Sequence, residues 1–488
     1  MATIIEQEPQ YQVMPVGQDV IFVVSNNPIV ANQTRVKFIA EVHISSGNPP
    51  NLSSANDIVG TFKVTPNNAG RGIFDMSTIV ENFVKPDNMA STKGAGGTYK
   101  GTSSQDTQFS MHLLDKFSRN DNTVRWMAIQ FKVEYLGATP CSGSADDNVV
   151  AVACGEAVDS DYFTIFNGYL KYTDKIVAFG SEKQNFGYDW QSQFLLNGTS
   201  KRFLTNAPTT QYANLEDYGT MAFIAPEIIR TDTGAFEEMD RVTFSFFDSS
   251  GSALGSHTLQ RTYDNGAFDT AQVPNSHAST RLLYLGVFPG NLQNWSSVFQ
   301  GLVVAGTVQG GHYTITGRDS SLNVVTQTYT IDLNCPDLKN YESIRLCWLN
   351  QWGVWDYFTF TKKSTRNIST QGSTYTQLGG TWNSQYYRPY GYKGGTKSFR
   401  TNATERITMN TNFVSEDFNT MFEELVNSPE VYMLEGYQTD ATNAVLNTYV
   451  TPVRLTTSSF TKKTIANDKL IQYNFEIELS RKLRTQSA

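Results

Sequence analysis

The stretch Tyr341-Glu-Ser-Ile-Arg-Leu-Cys-Trp-Leu-Asn350-Gln-Trp-Gly-Val-Trp-Asp-Tyr-Phe-Thr-Phe360 decides the fold class. Two aromatic-rich apolar runs flank the turn at 351–353, the signature of an antiparallel hairpin. Further on, Ile471-Gln-Tyr473-Asn-Phe475-Glu-Ile477-Glu-Leu479 alternates apolar and polar residues, as a strand with one face on a core must. Between them, Phe418, Met421, Phe422, Leu425 and Val426 recur at the i, i+3, i+4, i+7, i+8 spacing of a core-facing helix. Ser415 is its expected N-cap, Glu416 and Asp417 lie near its positive end, and Ser428-Pro429 stops it. With strands at 431–433 and 453–455, residues 341–488 are expected to pack one helix on a small antiparallel sheet.

The same period of two recurs upstream. In Val36-Lys-Phe38-Ile-Ala40-Glu-Val42-His-Ile44 apolar residues mostly alternate with polar ones, and 61–64 reads as the partner strand. A Gly-rich corner around Gly70 and Gly72 precedes Ile79, Val80, Phe83 and Val84, a short helix ended by Pro86. Residues 241–246 and 257–259 form a strand pair across the turn at 248–251, and 312–316 pairs with 324–331. Asp264-Asn-Gly266 is a further turn signal. The strand pair around Asp248 echoes the one around Gly47, as a duplicated sandwich would. Residues 87–107 and 139–147 lack apolar periodicity and read as long surface loops.

Composition points the same way. The 488 residues are 17% charged, against about 25% for an ordinary globular domain, and 12% aromatic. Length predicts several domains. The expected fold is mainly β: an N-terminal β-sandwich (1–165), a middle β-sandwich (166–340) and a C-terminal α+β domain (341–488) with a long polar arm at 364–398. The net charge of −8 and pI near 5.3 argue against nucleic acid as the main partner, since phosphate contacts demand clustered cations. Arg481, Lys482 and Arg484 read as a small solvated tail. No run approaches the 18 apolar residues of a membrane helix, and the N-terminus lacks the basic start and apolar core of a signal peptide.

Chemistry is sparse. Cys141, Cys154, Cys335 and Cys347 show no C-x-x-C spacing, and the five histidines stand singly, so no zinc site is expected. Cys141 and Cys154 could bridge across a short polar loop, with free thiols in a reducing cytoplasm the favoured reading. There is no G-x-S-x-G or H-E-x-x-H motif. Gly94-Ala-Gly96-Gly97 superficially resembles a phosphate loop without its spacing. Asp146-Asp147 and Asp159-Ser-Asp161 read as solvated loop charge rather than calcium ligands. Glycosidase carboxylates carry no local signature, so their presence is not decided by motif. No cofactor is expected.

Two aromatic sets stand out. Trp348, Trp352, Trp355, Tyr357, Phe358 and Phe360 sit at strand spacing, where core packing is favoured over a sugar-stacking platform. Trp382, Tyr386, Tyr387, Tyr390 and Tyr392 lie instead in the Gly/Ser/Asn-rich arm. Tyrosine in such a setting covers much area at small entropy cost, so these five are the candidate subunit or receptor contacts.

The 341–360 hairpin resembles an R-L-x-W-L-N-x-x-G-x-W-D-x-F-x-F segment of virion structural proteins from phages of Bacteroidota and marine bacteria, including crAss-like relatives. Pro66 to Phe83, containing an F-D-x-S-x-I-V-E-N unit from Phe74, and the C-terminal S-P-E-V-Y with Pro452-Val-Arg-Leu and the closing strand resemble the same group. In outline the ending is similar to the tube-like domain of distal tail and baseplate proteins, which form rings. The resemblance implies a non-enzymatic structural component of a bacteriophage virion, in the tail, baseplate or neck. Such a protein would be made in the host cytoplasm and would partner itself and other virion proteins. A carbohydrate-binding adhesin for a host surface glycan and a tail-borne glycan depolymerase are the alternatives.

Overall fold

Residues 36–44 alternate because one side of their strand faces a core. The computed structural model describes residues 3–54, 57–86, 88–91, 108–114, 117–136, 150–152, 157–171, 188–189, 191–225, 239–260, 277–333, 341–382, 385–435, 449–464, 470–480 and 484–487. Strand β1 (Thr34–Ser45) buries Val36, Phe38, Ala40, Val42 and Ile44 on one face. Antiparallel to it runs β2 (Ile58–Val64), with Phe38 opposite Val64 and Ala40 opposite Phe62, as the sequence predicts. On its other side lies β3 (Val124–Leu136), followed by β4 (Phe163–Tyr169). The strand Val13–Gly17 adds parallel to β4.

A three-stranded sheet of Ile4–Gln7, Ile21–Ser25 and Arg71–Asp75 shares its core with this one. Phe22 and Phe74 from the small sheet meet Phe131 of β3 at ring-centroid distances of 5.6 and 5.5 Å. Two sheets that bury facing aromatic rows make a sandwich. Gly72 permits the close approach: a Cβ there would lie 2.6 Å from Phe38 Cδ2. The expected short helix is one α turn, Ser77–Val80, continued by a 3₁₀ turn, Glu81–Phe83, with Val80 and Val84 buried.

Next come β5 (Arg241–Phe247) and β6 (Ala253–Gln260), joined through the predicted turn. The Asp248 carboxylate accepts from the backbone N–H of Ser250 and of Ser252, both at 2.8 Å, and Gly251 takes φ +83°. The Ser250 hydroxyl, which also donates to it at 2.6 Å, and then these backbone bonds hold its carboxyl below the usual range. Antiparallel pairing joins β7 (His312–Arg318) to β5 and to β8 (Tyr329–Leu333). The return strand starts later than 324. Before it, Val324 makes a single antiparallel bridge to Arg318 and Val325 N donates to the Gly317 carbonyl. Thr326 Oγ1 accepts from Gly317 N and the Asp319 carboxylate from Asn323 N, so side-chain bonds interrupt the ladder between that bridge and β8. Two short helices, Pro289–Trp295 and Ser297–Val304, supply Trp295 to Phe244 and Phe299 to Phe246.

A further sheet has the order Thr220–Ile224, Leu282–Gly286, Phe117–Arg119, Met89–Ser91, Gln108–Ser110. Met89–Ser91 lies in the stretch expected to be loop from 87 to 107; residues 92–107, like 139–147, 264–266, Cys141, Cys154 and Cys335, lie outside the described residues. Met1–Cys335 with Asn350–Asp356 and Thr439–Asn443 form one compact unit. The division expected at 165 falls within β4, and Phe117–Arg119 pairs with Leu282–Gly286 across it.

The second unit comprises Pro336–Leu349, Tyr357–Gln438 and Ala444–Ala488. Its sheet contains β9 (Ile344–Leu349), β10 (Trp355–Phe360), β11 (Thr365–Gln377), β14 (Gly395–Asn410), β15 (Val431–Leu434), β16 (Val450–Leu455), β17 (Asn474–Leu479) and β18 (Arg484–Ser487). The order is β10-β9-β15-β16-β17-β14-β11, with β18 also on β14. Within the arm, β12 (Gly380–Trp382) and β13 (Tyr387–Pro389) form a separate pair. Helix α1 (Phe418–Asn427) covers the sheet: Phe422 touches Phe358 at 5.0 Å and Phe475 at 5.4 Å.

The helix begins later than the Ser415 cap predicts. Ser415 instead donates its hydroxyl to Asp417 and its carbonyl accepts from Phe418 N, a turn that delays the first helical residue to Phe418. Arg484 is not loose tail either, because Arg484–Ser487 pairs with 400–403 of β14.

Candidate interaction surface

The arm read from sequence as a polar loop is a β-ribbon. In it, β11 and β14 run antiparallel from Thr365 opposite Thr408 to Gln377 opposite Gly395, with one irregularity between Ser373 and Thr374 that leaves Phe399 as an extra residue on β14. Residues 365–376 are all exposed. Thr, Ser, Gln and Asn fill both faces, so no period of two marks this strand, yet every pair in the ladder is made. Among the described residues β11 pairs only with β14, which leaves its outer edge open.

The base of the ribbon is fixed by charge. Arg366 contacts the carboxylates of Glu342, Glu405 and Glu435, at 2.9 Å for Glu405 and 3.2 Å for Glu435. Its hydrogen bonds to Glu342 and the others drive its pKa further up and pull the Glu342 carboxyl down. Beside it, Arg406 and Arg454 converge on Glu478, whose carboxyl the Arg406 hydrogen bond lowers.

The tip carries the predicted contact residues. Trp382 on β12 stands directly opposite Tyr387 on β13. Gly380 allows that pairing, since a Cβ there would meet the Arg388 carbonyl at 2.3 Å. Trp382, Tyr386, Tyr387 and Tyr392 are between 50 and 71% exposed, whereas Tyr390 is half-buried. Tyr390 and Tyr392 come together, rings 5.6 Å apart, under the Lys393 ammonium at 5.6 and 5.9 Å. Lys397 donates to the Tyr392 carbonyl. Trp382 and Tyr387 thus share a register position, and Tyr390 and Tyr392 bring their rings together. Lys393 belongs to this cluster and was not singled out from sequence; a lysine directly after Tyr-Gly-Tyr was the available signal.

The other aromatic set is core. Trp348, Trp352, Trp355, Tyr357, Phe358 and Phe360 are all buried, so the whole hairpin is covered rather than half of it. In the first unit, Trp352 packs on Phe194 at 4.6 Å, Asn350 Nδ2 donates to the Leu204 carbonyl at 2.9 Å, and Thr205 Oγ1 donates to Asp356 at 2.7 Å. Burial pushes the Asp356 carboxyl up to about 6.

Two serine–histidine pairs escaped motif reading. His257 Nδ1 lies 2.7 Å from Ser296 Oγ, and His277 Nδ1 lies 2.8 Å from Ser279 Oγ. Both hydroxyls are buried and committed to local structure: Ser296 caps the helix at Phe299 N, and Ser279 is held by Arg119. Asp159 accepts from the Gln130 amide at 2.8 Å, and the Asp161 backbone N–H donates to Glu8. Among the described residues no group of three or more His, Cys, Asp or Glu could hold a metal ion, and no helix is long and apolar enough to cross a membrane.

The described residues therefore define a mainly antiparallel, multi-sheet β protein with a C-terminal helix and an exposed polar ribbon. No family model and no curated protein matches the chain. Among solved structures it is similar, at 7% identity and a TM-score of 0.18, to trypsin-activated alpha-2-macroglobulin from Escherichia coli, over 84% of this chain and 23% of that one. The native conformation of the same E. coli protein gives 8% identity and a TM-score of 0.18, over 83% and 21%. The chain spans less than a quarter of the length of those structures. Similarity at that level carries no statement about fold or activity.

Proposed function

We propose that this chain is a non-enzymatic structural component of a bacteriophage virion, in the tail, baseplate or neck, which self-associates into a ring with the ribbon as a contact element. The virion assignment rests on the sequence resemblance of the 341–360 hairpin and the two flanking segments. Self-association rests on one observation, the exposure of residues 365–376 throughout an otherwise complete ladder. Beyond Ser373 the ribbon has, among the described residues, two strands only, and a two-stranded ribbon that buries no core is marginal in water. A partner surface supplies the missing burial, and head-to-tail contacts that close under rotation give rings.

The test is the native mass of the purified chain beside a variant in which 374–399 is replaced by Asn-Gly. Because Ser373 and Arg400 are paired, that replacement keeps the hairpin register and spares 400–403, which hold β18. A ring mass for the full chain and a monomer for the variant are expected. A full-length chain that stays monomeric at every concentration refutes the self-association reading.

The exposed aromatic faces of the tip favour a second reading, a carbohydrate-binding adhesin. Binding on a glycan array that Tyr387→Ala abolishes would support it over a plain scaffold.

A further inference from the structure

Charge along the chain is segregated in a way that single motifs do not reveal. From Tyr357 to Thr404 there is no acidic residue, while Lys362, Lys363, Arg366, Arg388, Lys393, Lys397 and Arg400 supply seven positive charges. Of the chain's 38 basic and 46 acidic residues, this leaves 31 basic against 46 acidic elsewhere, a net of −15. Near the tip the cations are held by neutral groups. Lys393 sits over two tyrosine rings, Lys397 donates to a carbonyl and Arg400 to the Asn402 side chain. Lys393 and Lys397 are half-buried and Arg400 is exposed, and among the described residues none of the three makes an ion pair.

The edge of the ribbon is equally unguarded. Natural sheets blunt open edges with lysine, proline, bulges or charges on the edge strand. From Asn367 to Gln377, β11 has none of the three residue-based devices, and the extra residue Phe399 falls on β14 instead. Such an edge can take an extended strand by backbone pairing alone.

We infer that the ribbon docks on an acidic face of a second copy of this chain, with the open edge of β11 adding as a strand. This rests on the self-association reading and specifies its partner surface and its mode. A two-fold contact between two ribbons is disfavoured, because it would bring like charges together. A basic ribbon on an acidic body is a head-to-tail contact, the kind that propagates and closes.

The experiment is sedimentation of the full chain from about 0.05 to about 0.5 M NaCl, over which the screening length shrinks roughly threefold. The dissociation constant of the assembly rises at least about tenfold across that range. Lys393→Glu with Lys397→Glu and Arg400→Glu produces a comparable loss at low salt, with circular dichroism checking the fold. Thr370→Lys with Thr374→Lys separates the two parts of the inference. It adds positive charge yet blocks edge pairing, so it weakens assembly; tighter assembly overturns strand addition. Assembly indifferent to salt and to the charge reversals overturns the acidic-partner inference while leaving self-association standing. A monomer under every condition removes both, and a monomer that binds heparin assigns the cations to a polyanion instead.

Discussion

Replacing Gly353 with alanine asks whether the turn of the aromatic hairpin is fixed by conformation alone or also by what lies against it. Gly353 has φ +69°, in the left-handed region. That conformation costs an L-residue about 1–2 kcal/mol. A Cβ at this position would stand 1.7 Å from the Asn167 carbonyl oxygen and 2.5 Å from its carbon. Those are backbone atoms, which cannot swing aside as a side-chain end could. Forcing such a shift costs a further ~1–3 kcal/mol, so the sum is about 2–5 kcal/mol. Gly251 is the matched control. Its φ is +83°, but nothing lies within 4 Å of its would-be Cβ, so Gly251→Ala carries the conformational cost alone. Urea unfolding followed by tryptophan fluorescence reads both variants against the parent. A Gly353→Ala midpoint no lower than that of Gly251→Ala would refute the close-approach argument.

Phe422→Ala removes a ring that touches Phe358, Phe418, Tyr473 and Phe475, and is expected to cost about 3–5 kcal/mol in urea unfolding. The exposed Phe413 serves as its control, with a change within about 0.5 kcal/mol on Phe413→Ala. Burial, helped by Asp161, raises the Glu8 carboxyl to about 7 from 4.5. Because the folded pKa lies above the unfolded one, its contribution to stability is full below 4.5 and fades as pH rises through 7. Glu8→Gln should flatten that part of the stability–pH curve; an unchanged slope disproves the assignment. Arg366→Met, which leaves three carboxylates without their shared cation, should cost about 1 kcal/mol after solvent screening. It should also speed hydrogen exchange at the ribbon base, and high salt should shrink the difference from the parent.

Strands with one wet and one buried face were legible from residues alone. Phe244 and Phe246, and Phe475 and Ile477, alternate because their neighbours on the chain are at least partly exposed. Phe38, Ala40 and Val42 alternate too, although Ile39 and His43 between and beside them are buried on the other face. The ribbon was not legible as strand, since a strand exposed on both faces offers no apolar period. Met89–Ser91, Gln108–Ser110 and Phe117–Arg119 have three residues each, too few to establish any period. The helix boundary slipped because the Ser415 hydroxyl bonds to Asp417 rather than capping the helix, and Asp417, at the position before Phe418, makes no side-chain cap bond. The tip aromatics could be picked out because tyrosines set among Gly, Ser and Asn have no core to enter. Lys393 has a local signal in its place directly after Tyr390-Gly-Tyr392, but the absence of acidic residues around it emerges only when charge is summed over a long window.

The pairing of Leu283 with Arg119 and of Leu285 with Phe117 carries a consequence for the order of events during synthesis. Some 160 residues separate the two strands, so at ribosomal rates of about 5–20 residues per second the earlier one waits roughly ten to thirty seconds for its mate. For that interval the nascent chain presents a strand whose hydrogen-bonding edge has no native neighbour. Translation speed between codons 120 and 286 therefore becomes a determinant of yield, and slowing it lengthens the window in which another nascent chain can capture that edge.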